Sequence, residues 1–171
     1  MRNPSLLDNT VLSNLALAGQ AELVFRLWAG RVASTPEVLS EYEVAARAGL
    51  LPSHAWIDLP VVELTTQEVA ICETFSRRLG RGERSCLAVA HSRGSLFASD
   101  DADARAAARR LGIPITGTLG ILALTVRREL LTLAQANALL ADMVAAGYRS
   151  PMERLDTLVS TTPPPATGSN S

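Results

Sequence analysis

The sequence predicts an α/β fold in which helices cover both faces of a mainly parallel sheet, that is, a three-layer α/β/α sandwich. Short apolar segments alternate along the chain with segments of helical period, and the connections between them are short. This alternation is typical of parallel strands joined by crossover helices. Hydrophobic residues make up 47% of the 171 residues and charged residues 19%, which is enough apolar material for one core and excludes general disorder.

Five apolar runs have strand character because they are short and bounded by polar or turn residues. The predicted strands are Ser5–Leu7, Arg31–Ser34, Trp56–Leu64, Ser95–Ser99 and Ile113–Thr116.

Helices are predicted between and after these strands. One begins around Val11, Leu12 and Leu15, and another begins at Thr35 and Pro36, a cap followed by proline that suits a helix N-terminus. The others are Ala21–Ala29, Gln67–Leu79, Glu83–His91, Asp103–Leu111, Leu119–Glu129, Ala134–Ala145 and Met152–Val159. Glycines at the expected C-terminal ends of helices are Gly49, Gly80, Gly94, Gly112 and Gly147.

Residues 1–160 are expected to form a single domain, followed by a disordered tail over 161–171, whose proline, glycine and serine content cannot support a core. No apolar run is long enough to span a bilayer and no secretory leader is recognisable, so we expect a soluble, cytoplasmic protein. Cys72 and Cys86 are expected to be reduced core residues. A net charge of -1 argues against a protein that holds nucleic acid mainly through its phosphates.

Acidic residues follow two of the predicted strands. Asp8 comes directly after the first strand, and Asp100 and Asp101 follow the run that ends at Ser99. The carboxyl ends of parallel strands are where sites form in such folds. Helix capping is an equally good interpretation of Asp8, and capping with an ion pair from Asp101 to Arg105 explains the later pair without any chemistry.

Two further acids lie on predicted helices. Glu83 shares a helix face with Cys86, Leu87 and Ala90, so its carboxylate points inward and requires a partner. Attraction to the positive end of its own helix is the alternative interpretation. Glu41 lies at the edge of another apolar stripe and fits a solvated position nearly as well. Glu37 and Glu43 are interpreted as surface residues.

Capping does not explain why acids from separated segments of the chain are expected to gather at one side of the predicted sheet. Several carboxylates placed close together cannot all remain ionised unless a divalent cation neutralises them. Oxygen ligands without histidine or thiolate favour Mg²⁺ or Mn²⁺. Such ions activate water and polarise phosphodiesters, so the predicted reaction is metal-assisted phosphodiester hydrolysis.

Five segments of the sequence resemble the PIN domain family, in particular its short stand-alone toxins of the VapC kind. The segments are LLDNTVLSNL, TPEVLSEY, GERSCLAVA, SLFASDDADARAAARRLGIPITGTLGILAL and AGYRSPMERL. The resemblance runs from about Ser5 to Val159, and the fourth segment is its most specific part, with a double aspartate, an arginine and a glycine-threonine turn into a helix.

The resemblance implies a PIN-like sandwich with an Mg²⁺ or Mn²⁺ site that cleaves RNA, a homodimer and a small antitoxin partner. It places the functional acids at Asp8, Glu41 and Glu83. Either Asp100 or Asp101 matches the fourth position; we favour Asp100 and retain Asp101. The metal ligands are then expected to be Asp8, Glu83 and Asp100. Thr10 and Arg105 are weaker candidates for contacts with substrate.

Two other functions remain open at this point. One is a non-catalytic PIN-like module that binds RNA or protein and uses its acids only for caps and ion pairs. The other is an aspartate phosphatase, which is disfavoured because a second aspartate two residues after the first is expected there and the chain has Thr10 at that position.

Overall fold

A computed structural model describes residues 3–161 of the chain. The strands are β1 (Ser5–Leu7), β2 (Val32–Ala33), β3 (Phe97–Ala98) and β4 (Ile115–Thr116). The helices are α1 (Asn9–Leu17), α2 (Glu22–Leu27), α3 (Pro36–Arg47), α4 (Thr66–Thr74), α5 (Arg81–Arg93), α6 (Ala102–Arg110), α7 (Thr118–Arg127), α8 (Leu133–Ala145) and α9 (Asp156–Thr161). Apart from Thr161, which ends α9, the predicted tail lies outside the described residues.

The four strands form one parallel sheet in the order β2-β1-β3-β4, which confirms the predicted fold class. α5 packs against β1 and β3 and also contacts α3, α4 and α6. α7 contacts α1, α2, α8 and α9. The helices α5 and α7 are thus the centres of two groups that sandwich the sheet.

The middle of the sheet determines where a site can form. β1 pairs with β2 on one side and β3 on the other, so the chain changes direction across the sheet between them. Leu6 and Leu7 of β1 are fully buried, and Leu7 lies opposite Ala98 of β3. The residues that follow, Asp8 and Ser99, therefore lie side by side where parallel sheets usually bind ligands.

The predicted strand Trp56–Leu64 is wrong. Within it only Val61 makes a bridge, to Ser34, and the rest has no regular strand structure. Trp56 is buried because its indole N–H donates to the Leu12 carbonyl at 3.2 Å and its ring packs near that of Phe25. An irregular segment therefore buries apolar side chains that resemble a strand in the sequence.

The predicted role of Gly80 as the end of a helix is also wrong. Gly80 is the N-cap of α5, while α4 already ends at Thr74. The four other predicted helix-ending glycines, Gly49, Gly94, Gly112 and Gly147, all have positive φ, as expected. No helix in residues 3–161 is long and apolar enough to cross a membrane.

Candidate active site

Asp8 is the most deeply buried of the predicted acids, with 1% of its surface exposed. Its backbone N–H donates to the Ala98 carbonyl, which fixes the residue beside the end of β3. Its side chain does not cap α1, so the capping alternative fails for this residue. Instead, the hydroxyls of Ser99 and Thr10 donate to Asp8 Oδ2 at 2.8 and 3.0 Å.

The same two hydroxyls connect Asp8 to the double aspartate. Thr10 Oγ1 accepts the backbone N–H of Asp100 at 3.0 Å, and Ser99 Oγ accepts that of Asp101 at 3.1 Å. Both hydroxyls therefore act at once as donors to Asp8 and as acceptors for the following acids. The first strand and the third strand are joined through this network at the carboxyl edge of the sheet.

Asp100 points toward the start of α7. The backbone N–H of Thr118 donates to Asp100 Oδ1 at 2.8 Å, and the Thr118 hydroxyl donates to Oδ2. The Asn14 amide also donates to Oδ2, at 2.9 Å, which connects α1 to the same carboxylate. Asp100 thus joins three separate segments.

Asp101 has a different position. Its Oδ1 accepts the Ala104 backbone N–H at 2.8 Å, so it caps α6 as the alternative interpretation predicts. The expected ion pair with Arg105 is not formed. Arg105 Nη1 instead donates to the carbonyls of Ser99 and Thr116, both at 2.8 Å, and bridges the ends of β3 and β4.

Glu83 and Glu41 meet at the start of α5. Glu83 Oε2 accepts the Gly80 N–H at 2.8 Å, and Glu41 Oε1 accepts the Gly82 N–H at 2.9 Å. A Cβ placed on Gly80 would lie 3.7 Å from both carboxylates, so the two side chains flank the same glycine. Glu83 is thus half-buried and acts at the terminus of its own helix, as the alternative interpretation expects.

The charges of these acids act on one another. The pKa of Glu83 is raised to about 7, chiefly by burial and to a smaller extent by the negative charges of Asp8, Asp101 and Glu41, while the hydrogen bond from the Gly80 N–H opposes the rise. The pKa of Asp8 is also raised, chiefly by burial, although the hydrogen bonds from Ser99 and Thr10 oppose that rise. A proton or a cation is therefore favoured in this cluster at neutral pH.

None of the acids of this cluster forms an ion pair with an arginine in residues 3–161. The three ion pairs in residues 3–161 join Arg47 to Glu43, Arg93 to Glu68 and Arg154 to Asp156, all at other places in the fold. The interpretation that the acids serve surface ion pairs is thus not supported within these residues.

The chemistry of the donor set fits a hard divalent cation. Every candidate is a carboxylate, and a cation would offset the repulsion that raises the pKa of Glu83. Within the part of the chain that the structure describes, however, no three acidic, histidine or cysteine side chains already surround a common point suited to an ion. The cluster is held together by hydrogen bonds from hydroxyls and backbone amides.

Sequence reasoning did not identify three residues of this network: Ser99, Asn14 and Thr118. Ser99 precedes an acid and Thr118 follows a glycine, and either pattern is only a weak indication of a functional residue. Asn14 lies on the same helix as Thr10, four residues later, so the spacing places both on one face. Glu37, interpreted as a surface residue, has a buried carboxylate oxygen without a hydrogen-bond partner in the described region.

A family model described as a PIN domain (DUF3368) matches residues 5–162. The protein therefore belongs to the PIN domain family. PIN domains are generally metal-dependent nucleases, so the fold and the acidic cluster define a nuclease-like domain. No curated protein matches the chain.

Proposed function

We propose that the protein is an endoribonuclease that uses Mg²⁺ or Mn²⁺ to hydrolyse RNA phosphodiester bonds. One observation carries the proposal: Asp8, Asp101 and Glu41 lie near Glu83 at the carboxyl edge of a PIN domain sheet, and burial together with these negative charges raises the pKa of Glu83 to about 7. Keeping four neighbouring carboxylates ionised costs free energy of folding unless a cation neutralises them.

We assign the metal to Asp8, Glu83 and Asp100. Asp8 and Glu83 are the acids whose pKa values are raised, and Asp100 is tied to Asp8 through Thr10. Glu41 supports the start of α5 through the Gly82 amide, and Asp101 contributes negative charge while it caps α6. Asp101 remains the alternative fourth acid because its charge acts on Glu83.

A divalent cation bound by these acids would activate water for attack and stabilise charge on the phosphate. The chain itself orients the acids. Ser99 and Thr10 hold one oxygen of Asp8, and Thr118 holds both oxygens of Asp100. The Thr10 hydroxyl already makes two hydrogen bonds, one to Asp8 and one from the Asp100 N–H. We therefore propose that its main role is to position these acids and that contact with substrate is secondary. A phosphate contact from Arg105 remains part of the proposal.

The direct test is cleavage of single-stranded RNA by the purified protein with Mg²⁺ or Mn²⁺. Asp8→Asn and Glu83→Gln are expected to abolish cleavage and to leave the fold intact, because Gln can still accept the Gly80 N–H. Glu43→Gln is the matched control, since Glu43 is an exposed acid paired with Arg47. Undiminished metal-dependent cleavage by both site variants would contradict the assignment.

A second candidate is a non-catalytic PIN-like module, and one observation favours it. Glu83, Glu41, Asp100 and Asp101 each accept a backbone N–H, which gives each a structural role. Titration with Mn²⁺ separates the two functions. An enzyme is expected to show heat of binding and a higher Tm that Asp8→Asn removes, whereas a module using its acids only as caps shows neither.

We further propose that the protein is the toxin of a toxin-antitoxin pair, acts as a homodimer in the cytoplasm and binds a small cognate antitoxin. The similarity of its motifs to stand-alone toxins of the VapC kind supports this. The test is whether a short reading frame with a DNA-binding signature adjoins the gene and whether its product blocks cleavage. Light scattering of the purified protein tests the dimer.

A further inference from the structure

A cleft of about 720 Å³ opens beside the acidic cluster. Asp100 and Gly117 form its boundary with the cluster, and it extends between α7 and the segment from Tyr148 to Met152. Its volume lies within the usual range of about 300–1,000 Å³ for ligand pockets. Asp100 is therefore shared by the cleft and the proposed metal ligands.

The lining of the cleft is amphipathic. Leu119 and Met152 provide apolar surface, while three arginines, Arg105, Arg127 and Arg149, bring positive charge to the same cavity. Arg149 is exposed, and it is in none of the ion pairs between residues 3 and 161. A ligand that combines a flat apolar part with a negative group matches this lining.

Tyr148 is the aromatic residue of the cleft. It is half-buried, and it also lines a smaller cavity of about 90 Å³ formed with Asn14 and Met143, so it contributes to both spaces. The pKa of its hydroxyl is raised by burial and by the negative charge of Asp100, and lowered by Arg105. Tyr148 and Asp100 thus line the same cleft.

We propose that this cleft binds the nucleobase next to the scissile phosphate of single-stranded RNA, with the ring of Tyr148 as its stacking platform. The inference rests on the proposed RNA substrate. Aromatic rings beside arginines are the common way for proteins to hold unpaired bases, because every base has a face that can stack. Arginines of the same lining supply positive charge for the phosphates next to that base.

The position of the cleft favours a nucleotide over a protein segment. The cleft begins at Asp100, so a strand of RNA whose phosphate is bound by the proposed metal ligands continues toward the cleft, whereas nothing in the lining favours a particular peptide. The three arginines of the lining match the charge of RNA.

Binding of a fluorescently labelled single-stranded RNA in EDTA, followed by anisotropy, tests the proposal without cleavage. Tyr148→Ala and Tyr148→Leu are expected to weaken binding about five- to hundredfold, while Tyr148→Phe binds like the wild type. Ile57→Ala is the control, because Ile57 is exposed and lies outside the cleft. The Tm of each variant verifies that it folds.

An RNA series with one abasic nucleotide at each position in turn tests the wild-type protein directly. One abasic position is expected to cause the same loss as Tyr148→Ala, and the two losses are not expected to add. Unchanged binding of Tyr148→Ala and of every abasic RNA would overturn the inference and leave the cleft to a protein segment. Equal losses of RNA binding for Tyr148→Phe and Tyr148→Ala would overturn the inference as well, because phenylalanine keeps the ring.

The outcomes distinguish the inference from the proposed function. If Tyr148→Ala binds and cleaves RNA like the wild type, the base subsite is wrong and the nuclease stands. If RNA binding depends on the ring but no metal supports cleavage, the nuclease is wrong and the base subsite stands.

Discussion

Gly117 lies so close to Asp100 that a Cβ at position 117 would stand 2.5 Å from Asp100 Oδ1. The φ of Gly117 is -152°, an extended value that any residue adopts, so space and not backbone conformation requires glycine here. The carboxylate occupies that space because it accepts the N–H of Thr118, the residue that follows. Gly117 thus leaves the space for the Asp100 carboxylate, and Thr118 supplies the N–H that binds it.

Gly117→Ala is expected to displace Asp100, with a loss of stability of about 1–3 kcal/mol from overpacking and a loss of Mn²⁺ binding. Gly120→Ala is the control, since its Cβ would meet Thr116 Oγ1 and not an acid. That variant should lose stability but keep the heat of Mn²⁺ binding. Equal metal binding by both variants would show that Asp100 does not hold the ion.

The ionisation of Glu83 makes the stability of the metal-free protein depend on pH. Its pKa rises from 4.5 to about 7 on folding, so between these values the folded state binds more protons than the unfolded state. The free energy of unfolding therefore decreases as the pH rises from 4.5 to 7. Glu83→Gln should remove this decrease and stabilise the protein above pH 7 by about 1–2 kcal/mol.

Urea unfolding at several pH values in EDTA measures this effect, and Glu43→Gln serves as the exposed control. Mg²⁺ is expected to restore stability above pH 7 to the wild type and not to Glu83→Gln. A wild-type stability that is flat from pH 4.5 to 7 would show that folding does not raise the pKa of Glu83.

The pair of Glu68 and Arg93 is expected to stabilise the contact between α4 and α5. Arg93 donates to both oxygens of Glu68 at 2.7 Å, and Glu68 is buried. Arg93→Met should lower the free energy of unfolding by about 2 kcal/mol. This loss is smaller than that for a fully buried ion pair because Arg93 is partly exposed. Arg47→Met, which breaks an exposed pair, should cost less than about 1 kcal/mol.

The same pair predicts a loss of stability in acid. The hydrogen bonds from Arg93 lower the pKa of Glu68 from 4.5 to about 2, so its contribution is complete above pH 4.5 and is lost as the pH falls toward 2. Thermal unfolding from pH 5 to pH 2 should show a smaller acid loss in Arg93→Met than in the wild type. Parallel curves would contradict the prediction.

Ser99→Ala is expected to change the pH dependence of cleavage. The Ser99 hydroxyl is the largest of the effects that lower the pKa of Asp8, so its removal should raise that pKa and shift the acidic limb of the rate profile to higher pH. Ser95→Ala is the control, because Ser95 Oγ is buried without a partner in the described chain. An unshifted limb would exclude Ser99 as a positioning residue.

The sequence predicted the fold class because its signals were local. Leu6 and Leu7 form a short apolar run before an acid, and this run is β1. The segment containing Trp56 failed because burial of a ring by an irregular loop produces the same apolar pattern as a strand.

The site was predictable only in part, for a physical reason. An inward carboxylate such as Glu83 disturbs an apolar stripe and is visible in the sequence. A hydroxyl such as Ser99 is compatible with any strand end, and its function depends on a partner, Asp8, that is distant in the chain. The assignment of the metal ligands stays a prediction.

β1 lies between β2 and β3 although it is the first strand of the chain. During synthesis, Asp8 leaves the ribosome long before the serine at 99 and the threonine at 118 that organise this end of the sheet. A nascent chain that stops before β3 therefore carries isolated acids and no assembled centre. The order of translation itself delays the moment at which a complete centre can exist in the cell.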